Sequence, residues 1–156
     1  MIELNIPGLE TIHLDHLVCD LNGTLAVDGK LVAGVSRLIR ILQDRLTIHL
    51  LSADTRGTQS TIAQQLNLNP VCLQRGNEAR QKAEFIEQLG AERVAAIGQG
   101  ANDSQMLRAA RIGICVLSPE GTAVETLLAA DLIAPDILSA LEMLEKPLRL
   151  VATLRK

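Results

Sequence analysis

Val18-Cys19-Asp20-Leu21-Asn22-Gly23-Thr24-Leu25, or VCDLNGTL, carries a single carboxylate from an apolar run onto a Gly-Thr turn. A strand that ends this way leaves Asp20 at the rim of a sheet. The Gly23-Thr24 turn can aim backbone amides at an incoming anion. Asp20 then reads as a nucleophile or a metal ligand, with a turn cap as the structural alternative. Asn22, two places later, can hydrogen-bond but cannot cycle a proton at ordinary pH.

On either side of this stretch the pattern alternates. Ile2, Leu4 and Ile6, then Ile12 and Leu14, mark two short strands turned at Pro7-Gly8, an N-terminal β-hairpin over residues 1–16. Leu17-Val18-Cys19 is the first central strand. Leu31, Val35, Leu38, Ile39 and Leu42 fall at helical intervals over residues 31–44. Strands are then expected at 46–51, 71–73, 94–97 and 112–116, with a short one at 132–133. Helices are expected at 57–66, 78–89, 104–110, 122–130 and from Ile137 onward, with a restart after Pro147. Two-sided apolar strands separated by helices predict one α/β domain spanning residues 1–156. It is a three-layer sandwich around a mostly parallel, Rossmann-like sheet.

Polar residues gather where the strands end: Asp20 after the first, Ser52 and Asp54 after the second, Gln99, Asn102 and Asp103 after the fourth. In an open parallel sheet these ends meet at the ligand crevice. Ser52 reads as a phosphate-binding hydroxyl presented with Ala53-Asp54-Thr55, or as a helix cap shared with Thr55. Lys82 reads as a cation facing the crevice or as a solvated surface lysine, with Arg75 and Arg80 as competitors. Asp20, the Asn22 carbonyl, Gln99 and Asp103 are the oxygen donors available to magnesium. Asp103 has a second reading as the cap of the following helix.

The composition excludes other classes. Phe85 is the sole aromatic residue other than histidine, and the net charge is -3, so neither base stacking nor electrostatic attraction to nucleic acid is supported. Cys19, Cys72 and Cys115 lack metal-ligand spacing and read as buried free thiols of a reducing compartment. His13, His16 and His49 read as structural. Arg149, Arg155 and Lys156 are too sparse to define a phospholipid surface. Without a signal-like or membrane-length apolar run, the expected location is cytoplasmic, without direct membrane insertion.

Taken in order, VCDLNGTL, LLSADT, QKAEF and AIGQGANDSQML resemble the four motifs of the haloacid dehalogenase-like phosphotransferase superfamily. The likeness runs from residue 17 onward and is closest to the phosphorylation domain of P-type ATPases and to small soluble P-type ATPase-like proteins. It implies Asp20 as the phosphorylated nucleophile, Ser52 as a phosphate-binding hydroxyl and Lys82 as the balancing cation. Gly23, Thr24, Ala53 and Asn102 complete the expected substrate-binding set, and Mg2+ is the expected cofactor.

Two positions depart from that pattern. Gln99 stands where the fourth motif usually places a magnesium-binding acid. Asn22 stands where the superfamily's phosphatases carry a second aspartate, and P-type ATPase-like domains a threonine. Slow turnover through a long-lived phosphoenzyme is the expected consequence, on a phosphomonoester or acyl phosphate. The alternative is a catalytically weak phosphate-binding or regulatory domain. Residues 21–51 and 83–98 leave no room for a substantial cap, so the crevice stays open to a phosphorylated small molecule or phosphoprotein, or is completed by another subunit of a homo-oligomer. A receiver domain is disfavoured because the acidic pair and third-strand acceptor are missing in order. A dinucleotide-binding fold is disfavoured because GxGxxG and Walker A loops are absent.

Overall fold

A computed structural model describes residues 1–53 and 58–156, with Thr58 described by its backbone alone. Asp54, Thr55, Arg56 and Gly57, including the expected start of the second helix, lie outside the described residues. A six-stranded parallel sheet forms the centre. Its strands are β3 (His16–Asp20), β6 (Thr47–Ser52), β7 (Pro70–Cys72), β8 (Val94–Gly98), β9 (Ile112–Val116) and β10 (Leu132–Ala134), in the spatial order β10-β9-β8-β3-β6-β7. Strand order reverses direction at β3, so the crevice opens at the carboxyl end of the strand that carries Asp20.

The two-residue period of β3 assigns its side chains. Leu17 and Cys19 enter the larger core with α1 (Val35–Leu42) and α6 (Ile137–Glu145), whereas Val18 joins Leu51, Ala96 and Ile86 on the other face. Asp20 shares the Val18 face, the one covered by α3 (Glu78–Leu89) and α4 (Ser104–Ala109). Each fully buried leucine or isoleucine contributes about 1.5–3 kcal/mol. With almost no aromatic residues, the core is aliphatic, as the composition predicts.

The N-terminal hairpin forms as a separate pair, β1 (Ile2–Leu4) with β2 (Ile12–Leu14), in the register Ile2↔Leu14 and Leu4↔Ile12. All four of these residues are buried in the main core, while Glu3 and His13 face outward and pair at 3.3 Å. Core padding is thus a shown role of this hairpin. The chain ends with α7 (Leu148–Leu154), which begins after Pro147 as the sequence predicts.

Three expectations are corrected. Leu31 does not belong to the first helix; it lies in a second hairpin, β4 (Ala26–Val27) with β5 (Lys30–Leu31), and α1 starts at Val35. The signal was local: Asp28-Gly29 has left-handed backbone at both positions, φ 52° and 77°, the geometry of a two-residue hairpin turn. Cys72 is exposed at the end of the edge strand β7, whereas Cys19 and Cys115 are buried. Burial pushes the Cys19 thiol far up and the Cys115 thiol up to about 11, which keeps both unreactive. The capping role of Asp103 is the third correction, and it is described with the site. The remaining described helices, α2 (Thr58–Leu66) and α5 (Val124–Ala129), fall where helical patterning places them.

Candidate active site

Parallel register brings the strand ends together. Asp20 lies opposite Leu51, so Ser52 projects one residue beyond it on β6; Cys19 pairs Ile97, so Gly98 and Gln99 follow on β8. Asp20 is 7% exposed, Ser52 2% and Thr24 2%, whereas Asn22 is exposed at the mouth. The Thr24 hydroxyl donates to Asp20 Oδ2 at 3.2 Å, but the two turn amides do not face an anion as the sequence suggests: Gly23 donates to the Ala26 carbonyl at 2.7 Å and Thr24 to the Leu21 carbonyl at 3.2 Å, closing the turn. Ala53 is half-buried at the end of β6.

Lys82 is not a surface lysine. It is 1% exposed, and its ammonium donates to Asp20 Oδ1 at 2.8 Å, to Asp103 Oδ1 at 2.7 Å and, more distantly, to Asn102 Oδ1 at 3.4 Å. Its helix is fixed by the neighbouring Gln81, whose amide nitrogen donates to the Gln74 and Gly76 carbonyls while its oxygen accepts from the Gln74 amide. Arg80 instead pairs with Glu84 at the surface. Of the three candidate cations only Lys82 is buried; Arg75 and Arg80 are exposed.

Asp103 makes no side-chain cap to α4. Its Oδ2 accepts the Gln99 and Gly100 amides, both at 3.0 Å, and its Oδ1 accepts Lys82. It is fully buried, so a carboxylate there requires these partners. Gly98 makes the arrangement sterically feasible, since a Cβ at that position would stand 2.6 Å from Asp103 Cγ. Asp103 therefore ties the end of β8 to the ammonium that faces Asp20.

Electrostatically, the site is a lysine between two carboxylates. Burial and, next, the Asp103 carboxylate raise Asp20 to about 7, against the pull of Lys82. Lys82 is driven down by burial but more strongly up by Asp20 and Asp103, so it stays charged.

Gln99 occupies a position packed over the Asp20 loop: a Cβ on Gly23, whose φ is 80°, would stand 2.4 Å from Gln99 Nε2. The same amide donates to the Gly121 carbonyl at 3.1 Å, and the Gln99 carbonyl accepts the Ala123 amide. Sequence reading missed this loop and Thr126, a fully buried residue whose hydroxyl donates to the Gly100 carbonyl at 2.6 Å. It also missed the link from the Asp28 amide to Glu120, which ties the β4–β5 hairpin to residues 118–121. No local motif marks these contacts, because each joins segments distant in sequence.

As oxygen donors, Asp103 is committed at both oxygens, and Asp20 accepts Lys82 at Oδ1 and Thr24 at Oδ2, with the Asn22 carbonyl and the Gln99 amide oxygen beside the crevice. Among the described residues, no three acidic, histidine or cysteine side chains converge as a metal cage. The set suits a magnesium ion that keeps several waters and gains ligands from a phosphate. The histidines stay apart from this chemistry. His16 Nδ1 and His49 Nε2 lie 3.2 Å apart below the site, with His49 edge-on to Phe85.

Comparison with known proteins agrees with this fold. The family described as haloacid dehalogenase-like hydrolase matches residues 1–111. An uncharacterized protein of Methanocaldococcus jannaschii is 39% identical over 84 residues, covering 51% of this chain and 90% of that one. The Arabidopsis thaliana protein named "Probable copper-transporting ATPase HMA5" is 30% identical over 135 residues, 81% of this chain but 13% of its own length. Among solved structures, the cobalt-bound deoxy-D-mannose-octulosonate 8-phosphate phosphatase of Haemophilus influenzae aligns with a TM-score of 0.71 at 15% identity, covering 86% of this chain and 88% of that one. With this fold, the lysine held between two strand-end aspartates and a family match over most of its length, the chain belongs to the haloacid dehalogenase-like hydrolases.

Proposed function

We propose that this domain is a slow, magnesium-dependent hydrolase of phosphomonoesters or acyl phosphates that works through a phosphoenzyme on Asp20. The observation that carries the reading is the Lys82 ammonium shared between Asp20 and Asp103. A cation held there lets a carboxylate approach a phosphate dianion, and phosphoryl transfer depends chiefly on such positioning and charge neutralisation. Asp20 and the Asn22 carbonyl, with Gln99, are the residues that would hold magnesium. The ion's contribution is positive charge that favours ionised Asp20 and draws in the phosphate.

In the proposed sequence an Asp20 oxygen attacks phosphorus as the bond to the leaving oxygen breaks, and the leaving oxygen takes a proton from solvent. Ser52, Lys82 and Asn102 receive the phosphoryl oxygens. Water then attacks phosphorus and releases Asp20 and inorganic phosphate. Asn22 orients that water but does not take its proton, so the second step is slow. The open crevice admits a phosphorylated small molecule or a phosphoprotein.

A second reading, a phosphate-binding domain without turnover, is favoured by the Gln99 amide, which is engaged with Gly121 and brings no charge to the crevice. Magnesium-dependent phosphate release from a panel of acyl phosphates and phosphomonoesters separates the two. Release by the native protein that is lost in Asp20→Asn supports the hydrolase. Stoichiometric binding of magnesium and phosphate without release supports the second reading. Equal release by both proteins removes Asp20 as the nucleophile.

A further inference from the structure

The outer edge of the sheet carries an apolar surface that the catalytic reading does not use. Val124 and Leu128 are 70% and 74% exposed, and Leu117 and Ile133 are 48% and 46% exposed. Their placement follows from register. Ile133 pairs with Cys115, and the Leu117 amide continues the ladder to the Ala134 carbonyl, so Ile133 and Leu117 lie on the same face of neighbouring strands. That is the face covered by α5. On α5 the buried Thr126 turns toward Gly100, and Val124 and Leu128, one turn apart, lie on the opposite, solvent-facing side of the helix. Four large apolar side chains thus collect at one edge, and among the described residues no strand pairs the outer side of β10.

The charge along this stretch of chain is of one sign. Residues 112–145 contain no lysine, arginine or histidine, and Glu120, Glu125, Asp131 and Asp136 are all exposed. Glu125 stands one turn from Leu128, and Asp131 precedes β10, its Oδ2 accepting the Gly113 amide at 2.7 Å. Asp131 also lines a cavity with Arg111 at the far end of the strand, leaving the crevice end of the edge acidic. A second copy of this chain seated symmetrically on the patch would bring Glu125 toward Glu125 in a desolvated contact, which is unfavourable. Exposed apolar groups inside an acidic border fit a cationic amphipathic partner.

We propose that Leu117, Val124, Leu128 and Ile133 form a docking surface for a partner polypeptide segment that presents apolar side chains flanked by lysine or arginine. The segment would sit on the far side of the helix whose inner side holds Gly100, beside the crevice mouth. The contact does not depend on catalysis at Asp20.

The test uses the full chain and a fluorescein-labelled synthetic helix with a leucine face bordered by lysines, followed by anisotropy. Binding is expected to weaken about tenfold in the Val124→Ser, Leu128→Ser double variant, whose exposed positions leave the circular dichroism unchanged. Glu125→Lys should also weaken binding and flatten its salt dependence. A matched peptide with glutamate in place of lysine should bind poorly to the native chain. Equal affinity of the lysine peptide for native and double-serine proteins overturns the proposal. So does a native dimer in analytical ultracentrifugation that Leu128→Ser dissolves, because the occupant is then a second copy.

Discussion

The Lys82 ammonium stands 2.7 Å from Asp103 Oδ1, and with Asp20 on its other side it is the positive centre of an otherwise acidic, solvent-poor pocket. Neither carboxylate has another cationic side chain among the described ion pairs. The three groups therefore act as a unit, and altering one changes the protonation and position of the other two.

Removing the cation should be costly. Lys82→Met leaves two carboxylates facing each other out of water, and breaking a buried pair by deleting one partner costs about 3–5 kcal/mol. The loss should be largest near pH 8 and smaller near pH 5, where Asp20 accepts a proton. Urea denaturation of both proteins at the two pH values checks this; a uniform, small loss would mean that water reaches the pair.

Asp20 should make the metal-free protein less stable as pH rises. Its folded-state value is raised to about 7 from an ordinary 3.8, so the folded state holds the proton more tightly. The stability this confers is fully present below about pH 4 and is lost as pH climbs through about 7. Asp20→Asn removes that dependence. The native-minus-variant difference in unfolding free energy, measured from pH 4 to pH 8 without metal, should fall steadily; a difference that rises with pH refutes the assignment.

Replacing Gln99 by aspartate should strengthen metal binding. Native protein offers the crevice the Asp20 carboxylate, already held by Lys82 and Thr24, so magnesium alone should bind weakly and tighten when phosphate is added. Gln99→Asp supplies a second carboxylate, and an affinity gain of about tenfold without phosphate is expected, equal to about 1.4 kcal/mol. Calorimetric titration reads this independently of turnover. No gain would mean that residue 99 does not face the ion.

Asn22→Asp should accelerate phosphoenzyme breakdown. A positioned acid-base group contributes about 10²–10⁴-fold, and the exposed position of residue 22 above Asp20 suits such a group. Steady-state hydrolysis should rise by about 10²-fold, and the fraction of trapped phosphoenzyme should fall. An unchanged rate would show that dephosphorylation does not limit turnover.

Much of the fold is written locally. The strand periods, the Gly90 stop after α3, the restart at Pro147 and the Asp28-Gly29 turn each follow from a few adjacent residues. Leu31 was misassigned because its spacing to Val35 also satisfies a helix, and only pairing with Ala26 selects the strand. Cys72 shows the same ambiguity for burial: an apolar neighbourhood in sequence does not say that β7 is an edge.

By itself the sequence determined the layered α/β architecture, the Asp20 turn and the gathering of polar residues at strand ends, because hydrophobic period and turn chemistry act over a few residues. Tertiary structure alone decided that Lys82 is buried against Asp20, 62 positions away, that Asp103 reaches back to the Gln99 and Gly100 amides and not forward to α4, and that Gln99 reaches Gly121. The physical reason is that the environment of a charged or amide side chain is set by what packs around it. Those neighbours come from other strands and helices, whose arrangement no single motif encodes.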